Sequence, residues 1–246
     1  MTTRGDRRRD RSADRGGRGM RGSVHNLLVH RIARREFERC AQRYLTGRLI
    51  DIGCGVKPLE GMLAPLVSEH VGVDHEGSLH DQSRVDRTGT AYALPAADAE
   101  FDSAVCTAVL EHLEEPKDAL RECCRVLRPG GVAIYLVPFI WHRHEEPRDF
   151  YRYSKYGLTY LFEQVGFELV ELRALSGFWV TFGQLFVYYL YRFHRGPLRL
   201  VPVIPAIALL VQAGAWLADR VDRAEQWTWM YLVVARKPLE AVAPRP

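Results

Sequence analysis

The stretch Leu49-Ile50-Asp51-Ile52-Gly53-Cys54-Gly55 decides the fold of this 246-residue chain. An apolar run typical of a buried strand ends there, and two glycines predict a sharp turn before a helix that opens near Pro58. Glycine suits such a turn because a ligand can approach backbone that carries no Cβ. In open α/β sheets, ligands bind outside the carboxyl ends of the strands, at turns of this kind. The stretch therefore predicts one strand of an α/β sheet and part of a binding site.

The charge of this turn selects among possible ligands. A dinucleotide-binding turn reads Gly-x-Gly-x-x-Gly and points its amides at a pyrophosphate. Here Asp51 stands two residues before Gly53, and Pro58 occupies the place of the third glycine. A carboxylate at that place suits a ligand with an ammonium and a sulfonium group, and S-adenosylmethionine is the candidate. An NAD-dependent oxidoreductase is the alternative that Asp51 and the missing glycine disfavour.

Further motifs follow the turn in a fixed order. Val71-Gly72-Val73-Asp74 predicts a second strand that ends in an acid, and an acid about 20 residues after the glycine turn is the usual partner of ribose hydroxyls. The later motifs are Leu94-Pro95, Phe101-Asp102, Glu111-His112 and Arg125-Val126-Leu127-Arg128-Pro129-Gly130-Gly131, before the strand Val132–Val137. Strands are predicted at 48–52, 70–74, near 84–87, 102–107 and 131–137, and helices at 58–67 and 116–127, with Arg128–Gly131 as the turn into the last of these strands. This alternation predicts a mostly parallel sheet covered on both faces.

In this order and spacing, the motifs resemble the class I S-adenosylmethionine-dependent methyltransferases, in particular the type 11 methyltransferase domain. The resemblance runs from about Leu49 to Val137. It implies a Rossmann-like, seven-stranded, mostly parallel sheet with an antiparallel last strand. It also implies that the protein is an enzyme that takes a methyl group from S-adenosylmethionine.

The resemblance assigns a role to each matching residue. Asp51 and the turn backbone would hold the methionine end, Asp74 the ribose, and the segment before Leu94-Pro95 the adenine. The family often has an Asp in that segment, whereas this chain has Gly89-Thr90-Ala91-Tyr92-Ala93, so Thr90 or a backbone carbonyl would replace it. The residues implied to bind the cofactor are Asp51, Gly53, Cys54, Gly55, Asp74, Thr90, Ala91 and Thr107.

The segment 138–154 leaves the strand 131–137 at the edge of the sheet where substrates bind. Some relatives carry a similar run of His-x-x-Pro-x-Asp-x-x-Arg, matched here by His144, Pro147, Asp149 and Arg152. We expect His144 and Asp149 on the acceptor side of the site, or alternatively an Asp149–Arg152 pair that only pins the loop. His112 is either a wall of the pocket or a general base. No His or Cys spacing is typical of a metal site, so no metal is predicted.

The last third of the chain contains a long hydrophobic insertion. The sixth and seventh strands are predicted at 167–173 and Met230–Ala235, and the residues between them include two runs without charge, Ala174–Tyr191 and Leu200–Ala218. Such runs overlap the length range of membrane-spanning helices. Because both ends must return to one sheet, we expect a helical hairpin on the inner membrane surface, with a lid over the pocket or a dimer interface as alternatives.

These patterns divide the chain into a basic tail (1–23), a methyltransferase domain (24–176 and 227–238), the insertion (177–226) and a flexible C-terminus (239–246). The tail carries eight arginines against three aspartates and almost no apolar residue, which predicts disorder. With five cysteines, no Cys-x-x-Cys motif and no signal peptide, the chain is expected to be cytoplasmic, peripheral on the inner face of the membrane.

The acceptor is expected to be a small molecule, a glycan or a lipid-linked compound. Nucleic acid is disfavoured as a partner because the core lacks basic patches interleaved with aromatic residues. The residues after the fourth strand, Cys106-Thr107-Ala108-Val109, also lack the Asn/Asp-Pro-Pro-aromatic motif of amino-methylating enzymes. A membrane-associated scaffold that retains the fold without catalysis is the alternative from another class of protein, and the sequence gives no indication of oligomeric state.

Overall fold

The structure, a computed structural model, describes residues 24–78 and 81–239. The predicted basic tail (1–23) and the end of the predicted C-terminal segment, residues 240–246, lie outside the described residues.

Within the described residues, seven strands form one sheet in the order β3-β2-β1-β4-β5-β7-β6. The strands are β1 Arg48–Ile52, β2 Glu69–Asp74, β3 Arg87–Thr88, β4 Phe101–Thr107, β5 Leu127–Pro138, β6 Glu168–Ala174 and β7 Met230–Arg236. Only β7 runs against its neighbours: it pairs antiparallel with both β5 and β6, while the other pairings are parallel. The predicted fold class is thereby confirmed.

Helices cover both faces of the sheet. They are α1 Leu27–Tyr44, α2 Glu60–Leu63, α3 Pro116–Val126, α4 Lys155–Gln164, α5 Phe178–Tyr191 and α6 Val203–Val221. Side chains of α3 and α4, such as Leu120 and Phe162, join one buried cluster, whereas those of α1 and the α5–α6 hairpin, such as Phe37 and Val180, join the other. The central strands are buried on both faces because each face has its own layer of helices.

Two elements differ from the sequence-based expectation. The predicted helix 58–67 is only the single turn α2, because Pro65 has no backbone N–H with which to continue the helical hydrogen bonds. The predicted turn Arg128–Gly131 belongs to the start of β5, where the pairing with β4 shifts register between Phe101 and Ser103. Gly130, at φ +81°, supplies the left-handed conformation of this irregularity.

The insertion folds as a hairpin of α5 and α6 between β6 and β7. Its buried polar residues close the base of the hairpin and attach it to the domain. The Asp219 carboxylate accepts hydrogen bonds from the Gly177 N–H, at the start of the insertion, at 2.9 and 3.1 Å. Gln184 donates to the carbonyl of His25 at 2.7 Å, and Gln212 donates to that of Val24 at 2.8 Å. The polar groups that interrupt the uncharged runs therefore face the protein.

The outward side of the hairpin is strongly apolar. It exposes many large side chains, among them Phe186, Tyr189, Leu210 and Leu217, and Leu210 is 74% exposed. Among the described residues, α6 is the one helix whose length and composition would allow it to cross a membrane, and 22% of that stretch is buried within the protein.

Candidate active site

The glycine turn after β1 has the left-handed geometry that its sequence predicts. Gly53 and Gly55 have φ values of +73° and +47°, in the region that favours glycine. A Cβ on Gly53 would lie 2.4 Å from Cγ2 of Val109, so the turn also packs closely against the segment that follows β4. Glycine at this position is therefore needed for both backbone conformation and space.

The amides of this turn are already used within the protein. The N–H groups of Gly53 and Cys54 donate to the carbonyl of Val73 at 2.9 and 3.2 Å. The Gly55 N–H donates to Oδ2 of Asp74 at 3.0 Å. A pyrophosphate site needs such amides pointing at the ligand. In this turn the amides are already hydrogen-bonded within the protein, and the carboxylates of Asp51 and Asp74 lie beside them. The turn therefore fits a ligand that carries positive charge.

Asp51 is buried at the end of β1, where its Oδ2 lies 3.0 Å from Nε2 of His70 on β2. His70 was not identified from the sequence. The pairing of β1 with β2 brings the two residues together, and no local spacing indicates it. Burial, together with the nearby carboxylates of Asp51 and Asp74, raises the pKa of the Cys54 thiol to about 12, so this thiol stays protonated at neutral pH.

The predicted adenine segment is tied to the end of β2. The Gly89 N–H donates to the Asp74 carbonyl at 3.0 Å, and the Ala93 N–H donates to the Thr90 carbonyl at 3.1 Å, which closes a turn through Ala91. Thr107 ends β4 opposite Leu136 of β5. The eight predicted cofactor residues thus lie at or near the carboxyl ends of β1, β2 and β4.

A second group of residues gathers at the ends of β4 and β5. A 3₁₀ helix, Leu110–His112, follows β4, and the loop after β5 carries His144. The rings of His112 and His144 are 4.8 Å apart between centroids, and Nε2 of each lies 3.8 Å from Oε1 of Glu111. Glu111 has no exposed surface.

Asp149 and Arg152 fix the loop that carries His144. The two guanidinium nitrogens of Arg152 donate to the two carboxylate oxygens of Asp149 at 2.6 and 2.8 Å, and the His144 N–H donates to Asp149 at 2.9 Å. Burial opposes ionisation of Asp149, but these hydrogen bonds outweigh it and lower its pKa to about 2. This is the pair that the sequence offered as an alternative, and it also positions His144.

The two loop histidines differ in their electrostatic surroundings. Burial lowers the pKa of His144, but the nearby carboxylates of Glu111 and Asp149 outweigh it, and the net pKa is raised. For His142, burial and the positive neighbours act together and lower the pKa. His144 therefore holds a proton more firmly than its neighbour in the loop.

Two further parts of this region were not identified from the sequence. Glu111 enters the sequence-based prediction only as part of the Glu111-His112 motif, without a role of its own, although an acid just beyond the carboxyl end of a strand is a signal that could have included it. Tyr188 of α5 packs against the loop, with ring centroids 4.5 Å from His142 and 5.2 Å from Trp141. The hydrophobic insertion thus borders the predicted acceptor side of the site.

Comparison with known proteins agrees with this geometry. Residues 50–135 match the family model described as a methyltransferase domain. A probable S-adenosylmethionine-dependent methyltransferase of Mycolicibacterium smegmatis is 31% identical over 159 residues, which are 60% of this chain and 59% of that protein. A ubiquinone biosynthesis O-methyltransferase of Dinoroseobacter shibae is 32% identical over 155 residues, 52% of this chain and 62% of that protein. The chain thus spans less than two thirds of either relative.

Solved structures share the fold. The [4+2]-cyclase SpnF superimposes with a TM-score of 0.56 at 21% identity, covering 83% of this chain and 81% of that one. The putative methyltransferase in complex with the Haloferax volcanii Trm112 activator gives a TM-score of 0.56 at 16% identity, covering 90% of this chain and 100% of that one. Since one neighbour is named as a cyclase, the fold by itself does not specify methyl transfer.

Proposed function

We propose that this chain, which contains a class I S-adenosylmethionine-dependent methyltransferase domain, transfers a methyl group to a small-molecule, glycan or lipid-linked acceptor at the inner membrane surface. One observation carries the proposal. The parallel strands β1, β2, β4 and β5 gather a turn suited to a cationic ligand and a Glu/His/Asp cluster at the same edge of the sheet. Donor and acceptor would meet at that edge.

On the donor side, the residues of this chain fit S-adenosylmethionine. Asp51 and the backbone of Gly53–Gly55 would face the methionine end, and Asp74 would bind the ribose. The turn through Thr90 and Ala91 would flank the adenine. When bound, S-adenosylmethionine supplies an electrophilic methyl group on a sulfonium, and transfer to an acceptor leaves S-adenosylhomocysteine. The protein mainly has to align the acceptor with that methyl group and exclude water.

On the acceptor side, His112 and His144 offer imidazole nitrogens beside the buried carboxylate of Glu111. An imidazole can accept the proton that a hydroxyl acceptor loses as its oxygen bonds to the methyl carbon. Asp149 holds His144 in place through the His144 backbone N–H. A hydroxyl is the acceptor group that makes most use of this cluster, since a neutral amine or a nucleophilic carbon can attack the methyl group without first losing a proton.

The membrane part of the proposal is supported by the outward face of the α5–α6 hairpin. A groove of about 320 Å³ lies between α1 and α6, with apolar walls that include Ile32, Leu209 and Trp216. Arg31 and Arg35 line the same groove. Apolar walls beside two cations match an acyl chain with an anionic headgroup, so an anionic lipid is the occupant that we propose for this groove.

Calorimetric titration with S-adenosylhomocysteine tests the donor site. We expect micromolar binding by the wild-type protein and loss of binding in Asp74→Ala, with Asp81→Asn as the control in the exposed loop after β2. No binding by a folded wild-type protein would overturn the enzyme proposal and leave a scaffold with this fold.

Sedimentation with vesicles tests the membrane site. The wild-type protein should sediment with vesicles containing anionic phosphatidylglycerol and much less with neutral phosphatidylcholine. The double variant Leu210→Glu/Trp216→Ser should stay in solution, whereas Tyr156→Ser removes an exposed aromatic ring from α4 and should change nothing. If the wild type and the Leu210→Glu/Trp216→Ser variant sedimented equally with anionic vesicles, the hairpin would be rejected as the membrane-docking surface.

A further inference from the structure

Three ligand-type atoms converge in the cluster beyond β4 and β5. Oε1 of Glu111 and Nε2 of His112 and His144 all lie within 4.8 Å of one another. They come from two segments of the chain, so no local spacing in the sequence indicates their proximity. This is why the sequence alone predicts no metal here.

The contacts of Nδ1 in each imidazole bear on which ring nitrogen presents a lone pair to Glu111. Nδ1 of His112 contacts the carbonyl oxygen of Arg148, and Nδ1 of His144 lies 3.3 Å from the carbonyl oxygen of His142. A carbonyl can only accept, so Nδ1 of His112 carries the hydrogen and Nε2 of that neutral ring presents a lone pair toward Glu111. Nδ1 of His144 also lies 3.4 Å from Nη2 of Arg152, which can only donate, so Nε2 of His144 presents its lone pair in the tautomer that donates to the His142 carbonyl.

With both rings neutral and hydrogen-bonded in this way, the cluster brings together three acceptors without a donor among them. Both carboxylate oxygens of Glu111 and Nε2 of His112 are buried, with no hydrogen-bond partner in the described part of the chain. At 3.8 Å, the separations from Glu111 to the two Nε2 atoms are too long for hydrogen bonds. Burying a carboxylate in this way is unfavourable unless a cation or a proton compensates its charge.

We propose that Glu111, His112 and His144 bind a divalent metal ion, with Zn²⁺ as the best match. Two imidazole nitrogens and one carboxylate are a ligand set of catalytic zinc sites. Bonds of about 2.0–2.1 Å in tetrahedral geometry place ligand atoms about 3.3 Å apart. Oε1 of Glu111 is 3.8 Å from each Nε2, and all three ligand atoms lie within 4.8 Å of one another, so metal binding would draw them together by up to about 1.5 Å.

The surroundings of the cluster fit this assignment. Metal-bound imidazoles usually donate their second N–H to a backbone carbonyl or a carboxylate. His112 and His144 each have such a carbonyl, and Oδ2 of Asp149 lies 3.7 Å from Nδ1 of His144. The Arg152–Asp149 pair would act as a positioning unit, because it holds the loop that brings the third ligand.

Three protein ligands leave a coordination position open, which extends the proposed function. If the protein is a methyltransferase, an acceptor hydroxyl would bind there, and the cation would lower its pKa so that its proton passes to solvent water. The oxygen anion would then bond to the methyl carbon as the sulfonium C–S bond breaks and S-adenosylhomocysteine leaves. The imidazoles would then be ligands in place of bases. The metal site thus specifies hydroxyl acceptors, and methyl transfer to oxygen.

Metal binding can be measured without donor or acceptor, so its failure is distinct from that of the proposed function. Full-length protein is dialysed against a chelator and titrated with Zn²⁺ by calorimetry. We expect one equivalent to bind, and affinity to fall at least about tenfold in Glu111→Gln and in His144→Gln. His144→Gln lies in a loop, so it keeps the test valid if Glu111→Gln does not fold. His30→Gln, on α1, is the control with one imidazole removed elsewhere.

Co²⁺ supplies a second readout. Visible absorption of a four- or five-coordinate Co²⁺ ion, absent in His144→Gln, would support the assignment. The metal assignment would be overturned if both folded variants kept the wild-type Zn²⁺ affinity, or if the wild type did not bind Zn²⁺ at all. In that case the charge of the buried Glu111 carboxylate would be neutralised by protonation alone. A near-ultraviolet thiolate charge-transfer band would also overturn the assignment, since it would place the ion on one of the five free cysteines.

Discussion

The backbone N–H of Leu28 donates to the side-chain oxygen of Gln212 at 2.8 Å, across 184 residues of sequence. The amide nitrogen of the same glutamine donates to the carbonyl of Val24 at 2.8 Å. One side chain of the insertion therefore closes the exposed start of α1, where the first N–H groups have no partner within the helix.

Replacing this glutamine should release the start of α1. In Gln212→Leu, a partly buried N–H and a carbonyl both lose their partners, so we expect a loss of about 1–3 kcal/mol in unfolding free energy. Amide hydrogen exchange should accelerate at Leu28. Gln226→Leu changes an exposed glutamine and should leave both measurements as in the wild type. Equal protection of Leu28 in the two variants would contradict the role of Gln212.

Gly72 is needed because its neighbours leave no room for a side chain. A Cβ there would lie 2.4 Å from Cε of Lys57 and 2.6 Å from Sγ of Cys54. Gly72→Ala should displace Lys57 from Asp86 and destabilise the protein by about 1–3 kcal/mol. Gly61→Ala, on α2 with nothing within 4 Å of its Cβ, should be neutral or slightly stabilising. Thermal denaturation of the two variants separates these outcomes.

The Arg39–Glu171 pair should make stability depend on pH. Hydrogen bonds from Arg39 and then Tyr44 lower the folded pKa of Glu171 from 4.5 to about 2. Because the pKa of Glu171 is lower in the folded than in the unfolded protein, its ionisation stabilises the folded state at pH values above the unfolded pKa of about 4.5. This contribution disappears as the pH falls from about 4.5 toward 2. The free-energy difference between wild type and Glu171→Gln should thus be on the order of 2 kcal/mol at pH 6 and shrink as pH falls below 4.5. Urea unfolding measures it. A difference that stays constant between pH 6 and pH 3 would refute the assignment.

Arg152 should be irreplaceable by lysine in holding the His144 loop. Its guanidinium group donates two parallel bonds to Asp149, and an ammonium cannot form that fork. Arg152→Lys should speed hydrogen exchange of the His144 amide about tenfold, which corresponds to about 1.4 kcal/mol. Arg143→Lys alters an exposed pair with Glu146 and should have almost no effect. Similar exchange rates in the two variants would show that Asp149 holds His144 without Arg152.

Most of the sheet could be predicted from the sequence because buried parallel strands read as short apolar runs with turn residues at their ends. The prediction of β1 as 48–52 matches the structure, and β4 differs by one residue. The two-residue strand β3 was expected earlier in the chain, near 84–87, because its position depends on pairing with Val73 and Asp74 and not on its own composition. The insertion was predicted from two uncharged runs, but its attachment to residues 24–28 was not.

The candidate site, like the sheet, was predictable where its residues are close in sequence and not where they meet only through folding. Asp51, the glycine turn and Asp74 are contiguous or regularly spaced, so the sequence alone predicted a cationic ligand beside β1 and β2. Whether His112 and His144 would meet could not be predicted, since they follow different strands that become neighbours only when β4 pairs with β5. The same applies to His70 beside Asp51, which depends on the register of β1 and β2.

The sequence by itself determined the fold class, the glycine turn and its charge, and the presence of an apolar insertion, because these depend on local periodicity, backbone conformation and composition. Only the tertiary structure decided that Glu111 is buried between two imidazoles, and that the buried polar side chains of the insertion bind the start of α1. The physical reason is that burial and strand register are properties of the packed chain. They determine which polar groups, distant in sequence, are removed from water at the same place and must then satisfy one another's hydrogen bonds or charge.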